Sequence, residues 1–266
     1  MKPNLPLRVG GALVTILFAI AVLGPFLAGD PLTIHLSDAL AGPSLHHPLG
    51  CDALGRDLLA RTLWGARISV GVAAAVVAAS LLIGASVGAV AAMAGGPVDE
   101  ALMRSVDILL AFPGILLAIA LAAVLGPGLL DLVIALAAMG WTGYARLVRG
   151  EILALRQRDY IQAARVLGAS PRRLLLNHLL PAVAAPLAVQ ASFGFAGIIV
   201  AEATLSFLGL GIPPPQPTWG AMLDEGRAFL LVAPHLTTVP GVAIGASVLG
   251  FNFLGDGLAR LLHARG

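Results

Sequence analysis

Long uncharged stretches dominate the pattern of polar and hydrophobic positions along the chain. No Asp, Glu, Lys or Arg occurs in five of these stretches, at residues 9–29, 68–98, 108–130, 174–201 and 228–255. Each is long enough to cross a membrane, because a helix needs about 20 apolar residues for a hydrocarbon core roughly 30 Å thick. A sixth stretch, residues 132–145, must extend past Arg146 toward Gly150, with basic groups reaching the interface. The pattern predicts an all-α integral membrane protein with six transmembrane helices.

The first stretch has the outline of a signal peptide, because Lys2 and Arg8 precede it. Its apolar part exceeds the roughly 7–15 residues typical of signal peptides, and no clear Ala-x-Ala cleavage site follows. We therefore expect an uncleaved span. The predicted divisions are a first transmembrane helix with a short cytoplasmic N-terminus (1–30), an outer segment with an interfacial helix (31–67), and a five-helix core (68–266) with a cytoplasmic loop at 151–180.

Composition and charge agree with a lipid environment. The chain is 58% hydrophobic and 11% charged, whereas an average soluble domain is about 25% charged. Lys and Arg favour the cytoplasmic side. If the N-terminus is cytoplasmic and the chain crosses the membrane six times, twelve basic residues lie inside. Only four arginines then lie outside: Arg56, Arg61, Arg67 and Arg227. Both termini are then cytoplasmic, and the basic balance needs no nucleic-acid partner.

The predicted outer segments contain two structural features. Leu58, Leu59, Leu63 and Trp64 recur at helical spacing with arginines between them, which predicts a helix lying in the membrane interface. Residues 211–227 are too rich in proline for a plain helix and predict a structured or re-entrant loop.

Residues 84–88 match the G-x-S-x-G pattern of serine hydrolases. That pattern requires a strand-to-helix turn in a soluble sheet, whereas here it lies inside a predicted span. Gly84 and Gly88 also form the G-x-x-x-G pattern of helix packing in membranes. We favour packing over a nucleophilic Ser86 and predict no catalytic residue. The chain lacks a G-x-x-x-x-G-K-[ST] phosphate loop, so any ATP-driven work requires another polypeptide.

Polar residues at two other places leave alternatives open. His46 and His47 lie near Cys51, but adjacent histidines do not share a helix face and the usual ligand spacing is missing, so we favour a loop without a metal. Cys51 is the single cysteine and cannot form an internal disulfide. Glu202, near the end of the fifth span, either faces a cavity or a partner or lies solvated at the interface.

A basic segment containing a glycine interrupts the apolar pattern between residues 159 and 181. It predicts two short helices, 160–167 and 171–180, broken at Gly168, since glycine accepts the left-handed backbone of a helix end. Ser170 fits an N-cap and Pro171 a first helical position. Arginines here could meet anionic lipid headgroups, but the small surface at Ala163 and Ala164 favours docking of another protein.

This segment resembles the EAA loop in the permease subunits of bacterial ABC importers. Gln162-Ala163-Ala164, Gly168 and Leu180-Pro181 fall on that pattern. Gln162 replaces the usual Glu, which removes a charge that could pair with the ATPase but leaves docking possible. Four further stretches are similar to the dipeptide, oligopeptide and nickel permease group: HPLGCDALGRDLLAR (47–61), ILLAFPGILLAI (108–119), YARLVRGEILALRQRDYIQAARVLGAS (144–170) and ATLSFLGLGIPPPQPTWGAML (203–223).

The resemblance implies a fold and a set of partners. A short first span followed by an outer segment resembles the C type of permease, which pairs with a homologous B type. The implied architecture is type I ABC importer-like, with six transmembrane helices and a cytoplasmic coupling helix in the bacterial inner membrane. The second permease would complete the pathway, an external binding protein would deliver substrate, and ABC ATPase subunits would use ATP and Mg. This chain would be non-catalytic and bind no cofactor.

The resemblance also implies roles for particular residues. The coupling loop would act through Asp159, Tyr160, Gln162, Ala163, Ala164, Gly168, Ala169 and Pro181. From the positions of the fifth span and the proline-rich loop, we further predict that Pro186 and Glu202 line the pathway and that the loop with Pro214, Trp219 and Gly220 faces the binding protein. Dipeptides or oligopeptides are the favoured substrates, with nickel or another small solute as the alternative. A stand-alone channel or secondary transporter is disfavoured, since the sequence has no clear internal repeat and few buried charges.

Overall fold

The described part of the chain is almost entirely helical, as predicted. The computed structural model describes residues 4–263, so Lys2 and Arg265, two of the basic residues that we place inside, lie outside the described residues. The helices are α1 (Leu5–Leu27), α2 (Leu58–Ala94), α3 (Gly96–Leu110), α4 (Gly114–Leu125), α5 (Leu129–Leu155), α6 (Asp159–Val166), α7 (Pro171–Leu174), α8 (Leu180–Phe207), α9 (Trp219–Gly226) and α10 (His235–His263). A π-helical turn, Leu175–Leu179, joins α7 to α8.

Five continuous helical stretches are long and apolar enough to cross a membrane: Leu5–Leu27, Leu58–Ala94, Leu129–Leu155, Pro171–Phe207 and His235–Leu262. The pair α3 and α4 forms a sixth span if it is counted as one. The six predicted spans are therefore found only when this pair, which bends by 85° at its break, is counted as one. Pro113 precedes α4 directly and has no N–H with which to continue α3, which explains the break.

The second span differs from its expected boundaries. We expected an interfacial helix before residue 67 and a separate span from residue 68, yet α2 runs without interruption from Leu58 to Ala94. Arg61 and Arg67 suggested a boundary between two helices. However, no proline or positive-φ glycine interrupts the backbone between residues 58 and 94. The helix ends where Gly95 and Gly96 both adopt positive φ, at 65° and 53°.

Small residues bring α2 and α5 close together. A Cβ atom at Gly84 would overlap the carbonyl oxygen of Trp141, and one at Gly88 would overlap that of Ala145. These contacts confirm helix packing as the role of the two glycines. Ser86 is exposed on another face of α2.

The remaining spans complete a bundle with two distinct ends. α10 packs against both α1 and α8, where Phe195 and Phe251 stack with ring centroids 4.6 Å apart and Phe18 meets Phe251 edge-on. We call the end of the bundle that carries α6 the knob end, after the projection described below. The opposite end, where α2 begins and α9 lies, is called the far end.

Candidate functional site

A short helical projection, which we call the knob, is formed by residues 159–170. α6 ends at Val166, and Gly168 follows with φ +87°. The turn is closed by the N–H of Ala169, which donates to the carbonyl of Ala164 at 3.0 Å. Ser170 then caps the next helix by accepting from the N–H of Arg173 at 3.3 Å. The predicted roles of Gly168 at the turn and of Ser170 as N-cap are confirmed. Both could be predicted because each residue acts on the backbone within a few positions in the sequence.

Buried side chains fix the base of the knob to the bundle. Ile161 is fully buried and packs in one hydrophobic cluster with Ile152, Leu174 and Val183. The Gln162 amide donates to the carbonyl of Arg156 at 2.8 Å. The residue that departs from the usual Glu therefore holds the start of α6 against the end of α5.

The tip of the knob is apolar and open. Val166 and Leu167 are each 87% exposed, and Tyr160 is about half exposed. Arg165, Arg172 and Arg173 are also exposed. An apolar tip of this kind, surrounded by basic side chains, is typical of a surface that another protein or a membrane covers.

The second helix of the segment is longer than we expected. The sequence predicted a short helix over 171–180, but the π turn carries the helix on into α8, so that one helical stretch runs from Pro171 to Phe207. Pro181 occupies the first turn of α8, and Pro186 lies half-buried within it. The knob is therefore directly connected to a transmembrane helix.

Glu202 does not lie where we expected it. Its side chain is 0% exposed, near the far end of α8, and its Oε1 accepts a hydrogen bond from Ser206 at 2.8 Å. A carboxyl group enclosed by its own chain does not line an open pathway. The sequence could not distinguish a Glu202 buried in the bundle from one on the wall of a cavity. In both cases a single acidic residue occurs in an apolar segment.

We expect the Glu202→Gln variant to transport substrate at a rate within about twofold of wild type, because the amide has the same shape and its oxygen can still accept from Ser206. Uptake into proteoliposomes and thermal unfolding in detergent measure the two effects separately. A loss of more than about tenfold in uptake with an unchanged melting temperature would instead assign Glu202 to the transport cycle.

Two residues expected to face an external protein are buried instead. Trp219 is 2% exposed, and its indole Nε1–H donates to the carbonyl of Thr62 at 3.1 Å. A Cβ atom at Gly220 would overlap the backbone of Ala203. Pro214 is exposed, so of the three residues only this one keeps an outward position. The prolines correctly predicted a loop, but not that Trp219 begins a helix packed into the bundle.

An ion-pair cluster at the far end was not predicted. It consists of Asp52, Arg56, Arg61 and Glu225. Arg56 Nε lies 2.6 Å from Asp52 Oδ2, Arg61 Nη1 lies 2.6 Å from Glu225 Oε2, and Arg61 also pairs with Asp52. Burial raises the pKa of Asp52, but backbone N–H bonds and the Arg61 charge outweigh it, so that the pKa lies below its usual 3.8. The cluster joins the segment before α2 to α2 and α9.

His47 and Cys51 take structural roles beside this cluster. His47 Nδ1 lies 2.8 Å from Asp57 Oδ2, and the other oxygen of Asp57 caps α2 by accepting from the N–H of Ala60 at 2.9 Å. Burial, followed by the nearby carboxylates, raises the pKa of the Cys51 thiol. Among residues 4–263, no group of three or more His, Cys, Asp or Glu side chains is arranged to hold a metal ion.

The chain is similar to known membrane transport proteins over its length. Residues 80–265 match the model of a protein family described as "Binding-protein-dependent transport system inner membrane component". The dipeptide transport system permease protein DppC of Alkalihalophilus pseudofirmus is 40% identical over 266 residues, which cover 100% of this chain and 88% of that protein. The glutathione transport system permease protein GsiD of Pectobacterium atrosepticum is 45% identical over 224 residues, 84% of this chain and 74% of that protein.

A solved structure has the same architecture. A chain of the MetNI methionine ABC transporter, in an inward-facing conformation, superposes with a TM-score of 0.60 and 19% sequence identity. The match covers 76% of this chain and 94% of the other. At this identity the likeness shows a shared fold alone.

Proposed function

Since the chain belongs to the family of binding-protein-dependent transport system inner membrane components and is the permease subunit of an ABC importer, we propose that it forms half of a pathway for peptides and couples that pathway to a separate ATPase. The ATP and Mg are used by the ATPase subunits, and this chain binds neither. A homologous second permease completes the pathway, and an external binding protein delivers the substrate.

The observation that carries the coupling role is the open apolar tip of the knob. Leu167 is 87% exposed although apolar, and it lies at the end of a projection whose base is buried. A surface with a fixed base and an unfilled apolar tip suits insertion into a groove of a partner protein. Direct continuity with α8 lets movement of that partner reach the membrane.

The exposed tip of the knob also supports an orientation of the chain in the membrane. ATPase subunits work in the cytoplasm, so the knob end faces inside, as do both termini. The exposed arginines of the knob agree with this sidedness. The far end, with Pro214 on its surface, then faces the external binding protein.

Peptides are the substrate class that the relatives support. The two relatives described above, at 40% and 45% identity, transport a dipeptide and glutathione by their names. Both substrates contain amide bonds flanked by charged ends. A pathway for this chain therefore has to accept short, polar, amide-bearing solutes.

The first test compares two exposed leucines that lie at opposite ends of the bundle. We expect Leu167→Asp to abolish co-purification of an ABC ATPase with the tagged protein, because it places a charge on the tip. Leu231 is 100% exposed at the far end, so Leu231→Asp is the matched control and should retain the ATPase. Mass spectrometry and ATP hydrolysis by the purified complex identify the partner.

Uptake then tests the substrate. The complex, reconstituted in proteoliposomes with its binding protein and ATP, should accumulate labelled short peptides and not nickel. Recovery of the ATPase by both leucine variants would refute docking through the knob. Accumulation of nickel without peptides would refute the substrate assignment, and passive flux without any ATPase would support a stand-alone channel.

A further inference from the structure

A small cavity, open on one side to the surface of the chain, lies between α2, α5 and α8. Its volume is about 210 Å³. The polar side chains on its wall come one from each helix: Ser80 from α2, Tyr144 from α5 and Gln190 from α8. Neither Pro186 nor Glu202, the residues first expected to line a pathway, is on this wall.

Two hydroxyl groups on the cavity wall are buried without a partner. Ser80 is 1% exposed and Tyr144 is 4% exposed, and neither hydroxyl forms a hydrogen bond among the described residues. Buried polar groups in proteins are nearly always hydrogen-bonded, so an unpaired hydroxyl beside a cavity indicates a partner that arrives from elsewhere. Two such groups on the same wall strengthen that inference.

The depth of the cavity excludes lipid as the natural neighbour. Ser80 lies in the middle of the uncharged stretch 68–98, and Gln190 in the middle of the stretch 174–201. Gln190 is exposed on the surface of this chain, and an amide facing hydrocarbon at this depth would leave its donors and acceptor unsatisfied. The cavity face must therefore meet water, a second protein chain or a polar solute.

Close packing gives the wall a defined shape. A Cβ atom at Gly140 would overlap the hydroxyl of Ser80, and one at Gly194 would overlap the hydroxyl of Tyr144. The two glycines are thus notches that accept the hydroxyl-bearing side chains, and they hold α2, α5 and α8 in register around the cavity. The two hydroxyls are therefore held in fixed positions beside the cavity.

The chemistry of the wall indicates which part of a solute it binds. None of the residues that line the cavity carries a charge, so the wall offers no partner for the charged ends of a peptide. Two hydroxyls and one carboxamide provide neutral donors and acceptors. These complement the N–H and C=O groups of a peptide bond, which are the same in every peptide.

We propose that Ser80, Tyr144 and Gln190 form a site that hydrogen-bonds the main-chain amides of a peptide as it passes through the membrane. This rests on the proposed peptide importer function. Recognition of the main chain in place of side chains lets one pathway accept peptides of different sequence, while selection among them occurs elsewhere.

The test uses the assembled importer in proteoliposomes with saturating, loaded binding protein. We expect the double variant Tyr144→Phe with Gln190→Leu to reduce the initial rate of tri-alanine uptake about tenfold, as expected for the loss of two hydrogen bonds. Ser80→Ala should reduce it less. Ser86→Ala, an exposed serine on the same helix but away from the cavity, is the matched control and should transport as wild type.

Two further readouts separate a binding role from a structural one. Removing an unpaired hydroxyl should leave the melting temperature of Tyr144→Phe unchanged or raised, since nothing within the chain is lost. A tri-alanine with N-methylated amides, which lacks the donors, should enter wild type more slowly than tri-alanine, and the double variant should no longer distinguish the two peptides.

The outcomes distinguish this inference from the function on which it rests. If wild type accumulates tri-alanine and the double variant does so equally fast, the cavity site is refuted while the importer stands. If the variant's uptake and its melting temperature fall together, the residues are structural and the inference also fails. If wild type accumulates no peptide, the proposed substrate class fails first.

Discussion

Replacing Gly168 by valine is expected to reduce uptake at least about tenfold while the protein still inserts in the membrane. The φ angle of Gly168 is +87°, in a region that a β-branched residue adopts only under strain. No atom lies within 4 Å of the position that a Cβ would take, so the effect is on the backbone turn and not on packing. Relaxation of that turn moves the tip, Val166 and Leu167, away from the groove it is proposed to fill.

Two matched variants make this prediction specific. Asparagine accepts the left-handed region more readily than other residues with a side chain, so Gly168→Asn should retain most uptake. Gly126 has φ +97° and equally open surroundings, but it lies between α4 and α5 at the far end. Gly126→Val should therefore spare co-purification of the ATPase, whereas Gly168→Val should lose it. Normal uptake by Gly168→Val would contradict the proposed role of the knob.

Replacing Arg61 by methionine is expected to have the largest effect on stability. Its side chain is 1% exposed and pairs with both Asp52 and Glu225. Its removal leaves the buried carboxylate of Asp52 with one fewer cation, and breaking a buried ion pair costs about 3–5 kcal/mol. Thermal unfolding in detergent measures the loss. Arg67 is exposed on the same helix, so Arg67→Met is the control and should cost less than about 1 kcal/mol.

The pH dependence provides a second check on the same cluster. The folded-state pKa of Asp52 lies below 3.8, so its contribution to stability is fully present above that pH and is lost as pH falls through the folded pKa. In wild type the Arg61 charge stabilises Asp52 only while that carboxyl group is ionised, so protonation of Asp52 removes the advantage that Arg61→Met lacks. The difference in melting temperature between variant and wild type should therefore narrow below about pH 4. A difference that stays constant across this range would mean that Arg61 acts through packing alone.

The features that local chemistry determines could be predicted from the sequence. Uncharged stretches marked the spans, because a charged side chain is costly in the middle of a membrane. The knob followed from Gly168 and Ser170, which act on their own turn. The type I ABC importer-like fold and the permease function followed from the resemblance and agree with the family match.

Features that depend on distant contacts could not be predicted. Trp219 follows a proline-rich loop, and its burial depends on Thr62, 157 positions away in the sequence. The pairing of Arg61 with Glu225 joins residues 164 positions apart. The cavity wall combines single residues from three helices, and each alone is an ordinary polar residue. One local signal was overlooked: Asp52 and Arg56 are four residues apart and of opposite charge.

The helical stretch from Pro171 to Phe207 has mechanical consequences. It is about 55 Å long, at roughly 1.5 Å per residue over its 37 residues, and it behaves as a stiff rod except at two soft joints. One joint is the π turn at Leu175–Leu179, and the other is Pro186, where the backbone ladder lacks one donor. We expect a push on the knob to bend this helical stretch at these two joints near its base. The part beyond Pro186, which carries Gln190, would then move as one piece, so that a displacement of the knob reaches the middle of the membrane.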